Sequence, residues 1–305
     1  MTVSAFARII LAMLLWALCF PLLTIGITLA PHLSFATLRA VLAGLVLIGL
    51  ARALGRPFPR SAAMWKTLAI MGVGATSLGF LGMFHAAEFV SPGIATVIAN
   101  TQPLLAAALG GIVLGERLSL VGKTGLFIGF LGIVVIAAPV IFSSGGESYL
   151  IGVAYIILAA LGITVSNVMI KKIAGRVDPF MAMGLQLLIG SIPLAIAAGL
   201  TEDPTAIQWT FTFVTVLLTL AVFGSALVYV VWMSVLSEVP LNQANAFSFL
   251  IPVFGLTIGV LFYGENLGLL KLAGIVLAII GVVLVTRKGA AKPAVLPPAK
   301  APVPT

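Results

Sequence analysis

Hydrophobic residues in this chain form long continuous runs, broken by short polar stretches. Each run is about 20 residues long, which is the length that spans a bilayer core as a helix. A membrane β-barrel would instead show alternating segments of about ten residues, and only helices and closed barrels satisfy their backbone in lipid. We therefore predict an all-α polytopic membrane protein with ten transmembrane helices. The expected spans are 6–29, 34–53, 65–87, 91–114, 118–139, 149–171, 178–199, 209–233, 240–262 and 268–286.

The composition supports this class. Of the 305 residues 61% are hydrophobic and only 8% are charged, whereas a soluble domain has about 25% charged residues. The first apolar run is longer than the hydrophobic part of a signal peptide, roughly 7–15 residues, so we expect it to stay as a helix. Cys19 is the only cysteine, which leaves it no disulfide partner and no neighbouring thiol for a metal site. We expect no metal and no cofactor.

The basic residues predict the orientation, because lysine and arginine concentrate in cytoplasmic loops. With the N-terminus inside, one side holds fourteen basic residues and the other holds Lys271 alone, while Arg39 lies within a span. We therefore expect both termini to be cytoplasmic. Charges spread over loops in this way do not form a nucleic-acid surface. The fourteen are Arg8, Arg52, Arg56, Arg60, Lys66, Arg117, Lys123, Lys171, Lys172, Arg176, Arg287, Lys288, Lys292 and Lys300.

The chain contains an internal duplication. Residues 103–136 align without gaps to 252–285 and are identical at nine of 34 positions, and 11–40 align with 157–186. The predicted units are a first five-helix repeat over 1–142, a loop over 143–148, a second repeat over 149–287 and a disordered tail over 288–305. Because five is odd, the two repeats enter the membrane from opposite sides. Inverted repeats are typical of alternating-access transporters, with the substrate site near the midplane between the halves.

Two features recur in both repeats. Pro103 and Pro252 each fall inside an apolar run, and a proline inside a helix removes one backbone hydrogen bond. We interpret the pair as kinks that line a cavity and act as hinges, with ordinary packing kinks as the alternative. Glycine and then glutamate follow each proline, at 115–116 and 264–265. We interpret them as helix ends, with each glutamate near the N-terminus of the next helix.

Small residues recur on one side of helices 5 and 10, which favours close helix packing. We expect this face to join the two halves or two subunits. The glycines concerned are Gly125, Gly129, Gly132, Gly274 and Gly281.

Polar and aromatic residues inside the spans are candidates for the substrate site, since polar groups in a membrane usually face the bundle interior. Arg39 is suited to bind a carboxylate or, alternatively, helix carbonyls. His85 and Glu88 stand three apart near an outer helix end and could carry a proton, or Glu88 could simply reach the headgroups. The predicted substrate-binding residues are Trp16, Arg39, His85, Asn100, Gln102, Asn167, Gln186, Tyr229, Trp232 and Asn245.

Ten spans in two repeats, each with a proline followed by Gly-Glu-x-Leu, resemble the drug/metabolite transporter superfamily, most closely its EamA-type exporters. The motifs are Leu-Gly-Glu-Arg-Leu at 114–118 and Tyr-Gly-Glu-Asn-Leu at 263–267, with similar segments at 86–95 and 234–244. The resemblance covers the chain to about residue 287. It implies export of small metabolites across a bacterial inner membrane, through a central cavity lined largely by helices 3, 4, 8 and 9.

The expected function is thus alternating-access export of amino acids, aromatic and other neutral ones, or of similar small metabolites. The alternative is a multidrug or cationic-metabolite exporter, which the lack of an acidic residue in the first span disfavours. An intramembrane enzyme is a third hypothesis, but the spans contain no nucleophile with a base and no metal-binding motif. The expected partners are a small-molecule substrate and the lipid bilayer. Protons are a candidate coupling ion, and the chain is expected as a monomer or weak homodimer.

Overall fold

The computed structural model describes residues 1–86, 89, 99–141, 147–263, 268–287 and 291–292. Nearly all of this part is helical, and the helices follow the predicted spans to within a few residues at most ends. The helices are α1 (Val3–Ile27), α2 (His32–Ala53), α3 (Ala62–Ala86), α4 (Gln102–Val113), α5 (Leu120–Ile141), α6 (Glu147–Ile173), α7 (Pro179–Thr201), α8 (Phe211–Glu238), α9 (Leu241–Ala246 and Leu250–Tyr263, joined by the 3-10 turn Phe247–Phe249) and α10 (Leu269–Thr286).

Eight of these helices are long and apolar enough to cross a membrane, and α4 and the segment Leu120–Ile136 of α5 are shorter apolar stretches within the described residues. The start of the predicted fourth span and the Gly-Glu pair at 264–265 lie outside the described residues. Large apolar side chains such as Leu200 and Phe211 are more than four-fifths exposed, as expected for surfaces that face lipid. The chain is a multi-pass helical membrane protein.

For clarity, the end of the bundle where α1 begins and α10 ends is called the basic face, because it carries the arginine- and lysine-rich loops. The other end is called the opposite face. It carries the start of α2, the end of α3 and the loop that follows α7.

Glycines bring helices of the two repeats into contact at several places, among them α5 with α10 and α2 with α7. A Cβ on Gly132 would lie 2.7 Å from the Gly274 carbonyl oxygen, and one on Gly281 would lie 2.5 Å from the Gly129 nitrogen. These contacts place α5 directly against α10. Gly44 and Gly184 bring α2 and α7 together in the same way, since a Cβ on either would lie within 3.1 Å of the other's carbonyl oxygen. The predicted glycine face of helices 5 and 10 therefore forms a contact between the two halves.

The α2–α7 pair is fastened at both ends by equivalent contacts between a basic and an acidic side chain. On the opposite face His32 Nδ1 lies 3.3 Å from Glu202 Oε1, and on the basic face Arg56 Nε lies 3.3 Å from Asp178 Oδ2. Adding 146 to 32 and to 56 gives 178 and 202, which is the spacing at which the first helices of the two repeats align. Each pair also holds a helix N-terminus, since Glu202 accepts a hydrogen bond from the Leu33 amide at 2.8 Å.

Helices α3 and α8 each contain a π-helical segment that the apolar pattern does not predict. The segments are Gly72–Leu78 and Val222–Leu227, and their starts and ends differ by 150 and 149 positions. A π-helical turn widens the helix and shifts its side chains, and such turns are frequent at functional sites. The offsets of 150 and 149 show that the two segments occupy equivalent places in the duplicated fold.

The two prolines mark interruptions rather than bends in a continuous helix. Residues 100 and 101 form a turn and Pro103 is the second residue of α4. In α9 the 3-10 turn Phe247–Phe249 ends three residues before Pro252. Each interruption lies where the proline removes a backbone donor. The role of the two prolines as kinks and hinges stays a prediction.

Gly115 ends α4 as the sequence predicts. It has a φ of 68°, and the Glu116 amide donates back to the Gly110 carbonyl at 3.1 Å, which is the pattern of a glycine-terminated helix. Glu116 itself does not stabilise the start of α5. Its carboxylate accepts hydrogen bonds from the amides of Leu241 and Asn242, at 2.9 and 3.1 Å, and so holds the N-terminus of α9. The sequence associated Glu116 with the start of α5, but its contacts are with the start of α9. Glu116 and Leu241 are 125 positions apart, and local sequence does not reveal such a contact.

A short antiparallel pair of strands forms on the basic face. Strand β1 (Arg117–Leu118) pairs with β2 (Ala291–Lys292). Two residues of the predicted disordered tail are thus in a strand, and the rest of the tail lies outside the described residues.

Candidate functional site

A cavity lies between the repeats, enclosed by α1, α2, α3, α4, α6, α8 and α9. Its volume is about 180 Å³, compared with roughly 10–15 Å³ for a single water on the same measure. The resemblance named helices 3, 4, 8 and 9 as its walls, and the structure adds α1 and α6 as major contributors. The space is large enough for a small organic molecule.

The end of the cavity nearest the basic face is a hydrogen-bonded polar floor. The Trp232 indole donates to Asn167 Oδ1 at 2.9 Å, and the Asn167 amide donates to Asn245 Oδ1 at 3.3 Å. All three side chains are at most 5% exposed. The chain ties α8, α6 and α9 together and leaves Asn245 Nδ2 without a partner among the described residues.

Ser248 stands one turn above Asn245 on α9 and also lines the cavity. Its hydroxyl is buried and has no hydrogen-bond partner in the described part of the chain. Buried polar groups are nearly always paired, so an unpaired amide and an unpaired hydroxyl beside one space mark it as a place where a polar ligand or water binds.

Arg39 of α2 is the cavity's only charged residue among those described. Its Nε donates to Ser225 Oγ and its Nη2 to the Gly224 carbonyl, both at 2.8 Å. Both partners belong to the π-helical segment of α8. The guanidinium also lies 5.1 Å from the centre of the Phe80 ring, so its neighbours are neutral groups and an aromatic face.

Aromatic rings form one wall. Trp16 makes edge contacts with Tyr229, at 6.4 Å between ring centres, and with Trp232, at 5.4 Å. Phe20 of α1 and Phe84 of α3 continue the apolar lining toward the opposite face. Aromatic edges and faces offer an apolar side chain a large contact area.

The interruptions before the two prolines face this space. Ala99 and Ser248, which precede Pro103 and Pro252 by four residues, both line the cavity. The carbonyls at these positions lose their helical donor to the proline ring. The duplicated motif therefore places backbone acceptors of α4 and α9 at the same cavity.

Most of the predicted site residues meet here. Eight of the ten line the cavity, and they come from six different helices: Trp16, Arg39, Asn100, Gln102, Asn167, Tyr229, Trp232 and Asn245. No observation tests whether they bind substrate, so that role stays a prediction.

His85 and Gln186 lie elsewhere. His85 is at the opposite face, where its Nδ1 lies 3.0 Å from His32 Nε2 and its ring packs edge-on against Tyr155. Gln186 accepts a hydrogen bond from Thr76 Oγ1 at 3.1 Å and is not part of the lining. Both were predicted to bind substrate because they are polar residues inside spans. The structure places each at a contact with a neighbouring helix, outside the cavity lining.

Sequence reasoning passed over Ser248 and Cys19, which also line the cavity. Ser248 had a usable signal, because it stands four residues before Pro252. Cys19 is 6% exposed, and its sulfur lies 3.7 Å from Arg39 Nη2.

Beyond the floor, the basic face is closed by ties between helices, and those of Arg8 and Glu116 join the two repeats. Arg8 of α1 pairs with Glu238 of α8 at 2.7 Å and donates to Ser234 Oγ at 3.0 Å. The Lys171 ammonium donates to the carbonyls at the end of α8, and Glu116 holds the start of α9. The cavity lining reaches the other way, to Leu23 and Met83 near the opposite face.

Comparison with known proteins identifies the family to which this architecture belongs. The model of the EamA-like transporter family matches residues 4–138 and again 150–287. The chain belongs to the EamA-like transporter family. One match falls in each half, in agreement with the duplicated fold. The protein is a transporter of this family.

Relatives of the family have similar lengths. An uncharacterized transporter of Bacillus subtilis, YvbV, is 31% identical over 286 residues, covering 92% of this chain and 91% of its own. A probable amino-acid metabolite efflux pump of Salmonella typhimurium is 28% identical over 283 residues, covering 89% and 91%. A solved crystal structure superposes with a TM-score of 0.80 at 19% identity, covering 95% of this chain and 98% of its own, which shows the shared fold.

Proposed function

We propose that the protein exports amino acids, aromatic and other neutral ones, or similar small metabolites across a bacterial inner membrane. Transport proceeds by alternating access, with the substrate held in the cavity between the repeats. Both termini lie in the cytoplasm, so the basic face is cytoplasmic.

The observation that carries the proposal is the lining of the cavity. It combines a buried cation, a polar floor of amides and an aromatic wall in one space. A ligand site of this kind is mostly apolar, with a few placed polar groups that fix orientation. An amino acid offers a matching set of groups, since it has a carboxylate, an amine and a side chain. The name of the Salmonella relative points to the same class.

The export direction is proposed from the name of the Salmonella relative. The basic face is sealed by contacts of α1, α4, α6, α8 and α9, while the lining continues toward the opposite face. This arrangement corresponds to a state that is closed at the basic face.

The test is counterflow in proteoliposomes. Vesicles containing purified protein are loaded with one unlabelled amino acid at a time, and accumulation of the same labelled compound is followed with and without a pH gradient. We expect saturable accumulation for one or more neutral amino acids, and none in protein-free vesicles. Absence of flux over all twenty amino acids would overturn the substrate assignment. A rate that depends on the pH gradient would identify protons as the coupling ion.

A further inference from the structure

We infer that the cavity selects compounds that carry a carboxylate and rejects amines of the same shape, with Arg39 as the residue that selects. The inference rests on the proposed function in one respect, that the cavity is where substrate binds. It goes further by fixing the charge of the substrate group.

The positive charge of Arg39 has no counter-charge in the described cavity. Its two short hydrogen bonds go to a hydroxyl and a backbone carbonyl, and its ring contact is with Phe80. Nη1 makes no hydrogen bond to any described residue. An ionised group at 5% exposure is costly unless paired, so a bound anion would stabilise this arrangement strongly.

The chain's acidic side chains are committed elsewhere. Each one whose contacts are described lies at a face of the bundle and has its own partner. The partnered carboxylates are Glu116, Asp178, Glu202, Asp203 and Glu238. The remaining three of the eight, at positions 88, 147 and 265, are at the ends of predicted spans. A cationic ligand would therefore meet one fixed positive charge and no carboxylate at the depth of Arg39.

The duplication shows that bracing these helices does not require a charge. Ser225 has its counterpart 149 positions earlier in Thr76, and each hydroxyl bonds a side chain of a helix from the other repeat. Thr76 bonds the neutral amide of Gln186, outside the cavity. The equivalent contact inside the cavity uses arginine. A neutral side chain is enough for the contact between helices. The guanidinium of Arg39 adds a charge and further N–H donors, arranged as a fork that matches a carboxylate.

The rest of the lining fits the remainder of such a molecule. Asn245 Nδ2 and the Ser248 hydroxyl are unpaired donors among the described residues and line the same space. Two donors from Nη1 together with these groups would bind oxygen atoms, and the Trp16 and Tyr229 rings would contact an apolar body. The unpaired donors and the guanidinium without a counter-charge in the described cavity together favour an anion or zwitterion over an amine.

The experiment uses two sets of three compounds that differ only in their charged groups. The first set is phenylalanine, 3-phenylpropionate and phenethylamine; the second is leucine, 4-methylpentanoate and 3-methylbutylamine. Binding to the full-length protein in detergent is measured as the ligand-induced rise in thermal unfolding midpoint, because a ligand that binds only the folded state stabilises it. The wild type is compared with Arg39→Gln, Arg39→Lys and Thr76→Val.

We expect the amino acid and the acid of at least one set to bind about 10- to 100-fold more tightly than the amine. Arg39→Gln removes this preference and Arg39→Lys keeps part of it, because lysine retains the charge but loses the fork. Thr76→Val is the matched control. It breaks the equivalent brace outside the cavity and leaves the acid-over-amine preference unchanged.

The inference is overturned if amines bind as well as acids, if no acid of either set binds, or if Arg39→Gln retains the preference. Equal effects of Arg39→Gln and Thr76→Val on unfolding, with selectivity intact, would make Arg39 a structural brace only. Failure of the proposed function looks different: carboxylates would bind with the stated preference, but the same compounds would show no counterflow.

Discussion

At the scale of single residues, the informative side chains are the buried polar ones that lack a partner. Leaving a buried donor or acceptor unpaired costs about 1–3 kcal/mol, so a stable protein keeps few of them. Ser248 and Ser166 both have a buried hydroxyl without a partner among the described residues. Only Ser248 lines the cavity. The Ser248 hydroxyl is therefore placed to bind a ligand in the cavity, and the Ser166 hydroxyl is not.

Ser248→Ala is expected to weaken substrate binding without destabilising the fold. Removing an unpaired hydroxyl returns its desolvation cost, so the unfolding midpoint stays equal or rises. Loss of one hydrogen bond to substrate lowers the apparent affinity roughly two- to tenfold. Counterflow at several substrate concentrations measures the change in KM. Ser166→Ala is the control, with the same unfolding behaviour and no change in KM; a KM unchanged in both variants would remove Ser248 from the site.

At the scale of helices, the repeats are held together by glycines that allow backbones to touch. A Cβ on Gly281 would lie 2.5 Å from the nitrogen and Cα of Gly129. Nothing lies within 4 Å of a Cβ added at Gly255 in α9. These two helical glycines therefore separate the effect of close packing from the intrinsic effect of glycine in a helix.

Gly281→Ala is expected to destabilise the protein by about 1–3 kcal/mol, because the added methyl overpacks a backbone contact that cannot yield. Gly255→Ala adds the same methyl in open space and is expected to be neutral or stabilising by up to about 1 kcal/mol. Thermal unfolding in detergent, followed by circular dichroism, measures both. Equal midpoints for the two variants would show that the α5–α10 contact is looser than the structure has it.

The helices themselves were predictable because hydropathy and backbone satisfaction act locally. The interruptions at Pro103 and Pro252 followed from proline geometry, and the contact between halves followed from glycine spacing. The π-helical segments gave no apolar signal, since a π turn depends on what packs against it. Gln186 shows the same limit for the site: its polarity predicts an interior position, but its partner Thr76 is 110 residues away and only the assembled bundle brings them together.

At the scale of the molecule, the inverted repeats place equivalent residues of the two halves on opposite faces of the membrane. The contacts His32–Glu202 and Arg56–Asp178 show this at the two ends of α2 and α7. The floor and the ties beyond it close the basic face. Alternating access requires these ties to break. Glu116 is central among them, because it joins the end of α4 in the first repeat to the start of α9 in the second.

Glu116→Gln is therefore expected to shift the population toward states open at the basic face. The amide keeps the shape but loses the charge and one acceptor, so it holds the two α9 amides less strongly. Ser234, which Arg8 contacts at this closure, is converted to cysteine in a Cys19→Ala background, and its modification by an impermeant maleimide is followed in inside-out vesicles. We expect the rate of modification to rise about three- to tenfold.

The control is Asp203→Asn, because the Asp203 carboxylate contacts only Thr205 among the described residues. This variant leaves the rate unchanged. Modification from the other side of the membrane alone would reverse the proposed orientation, and an unchanged rate in Glu116→Gln would show that this carboxylate stabilises the helix end without controlling access.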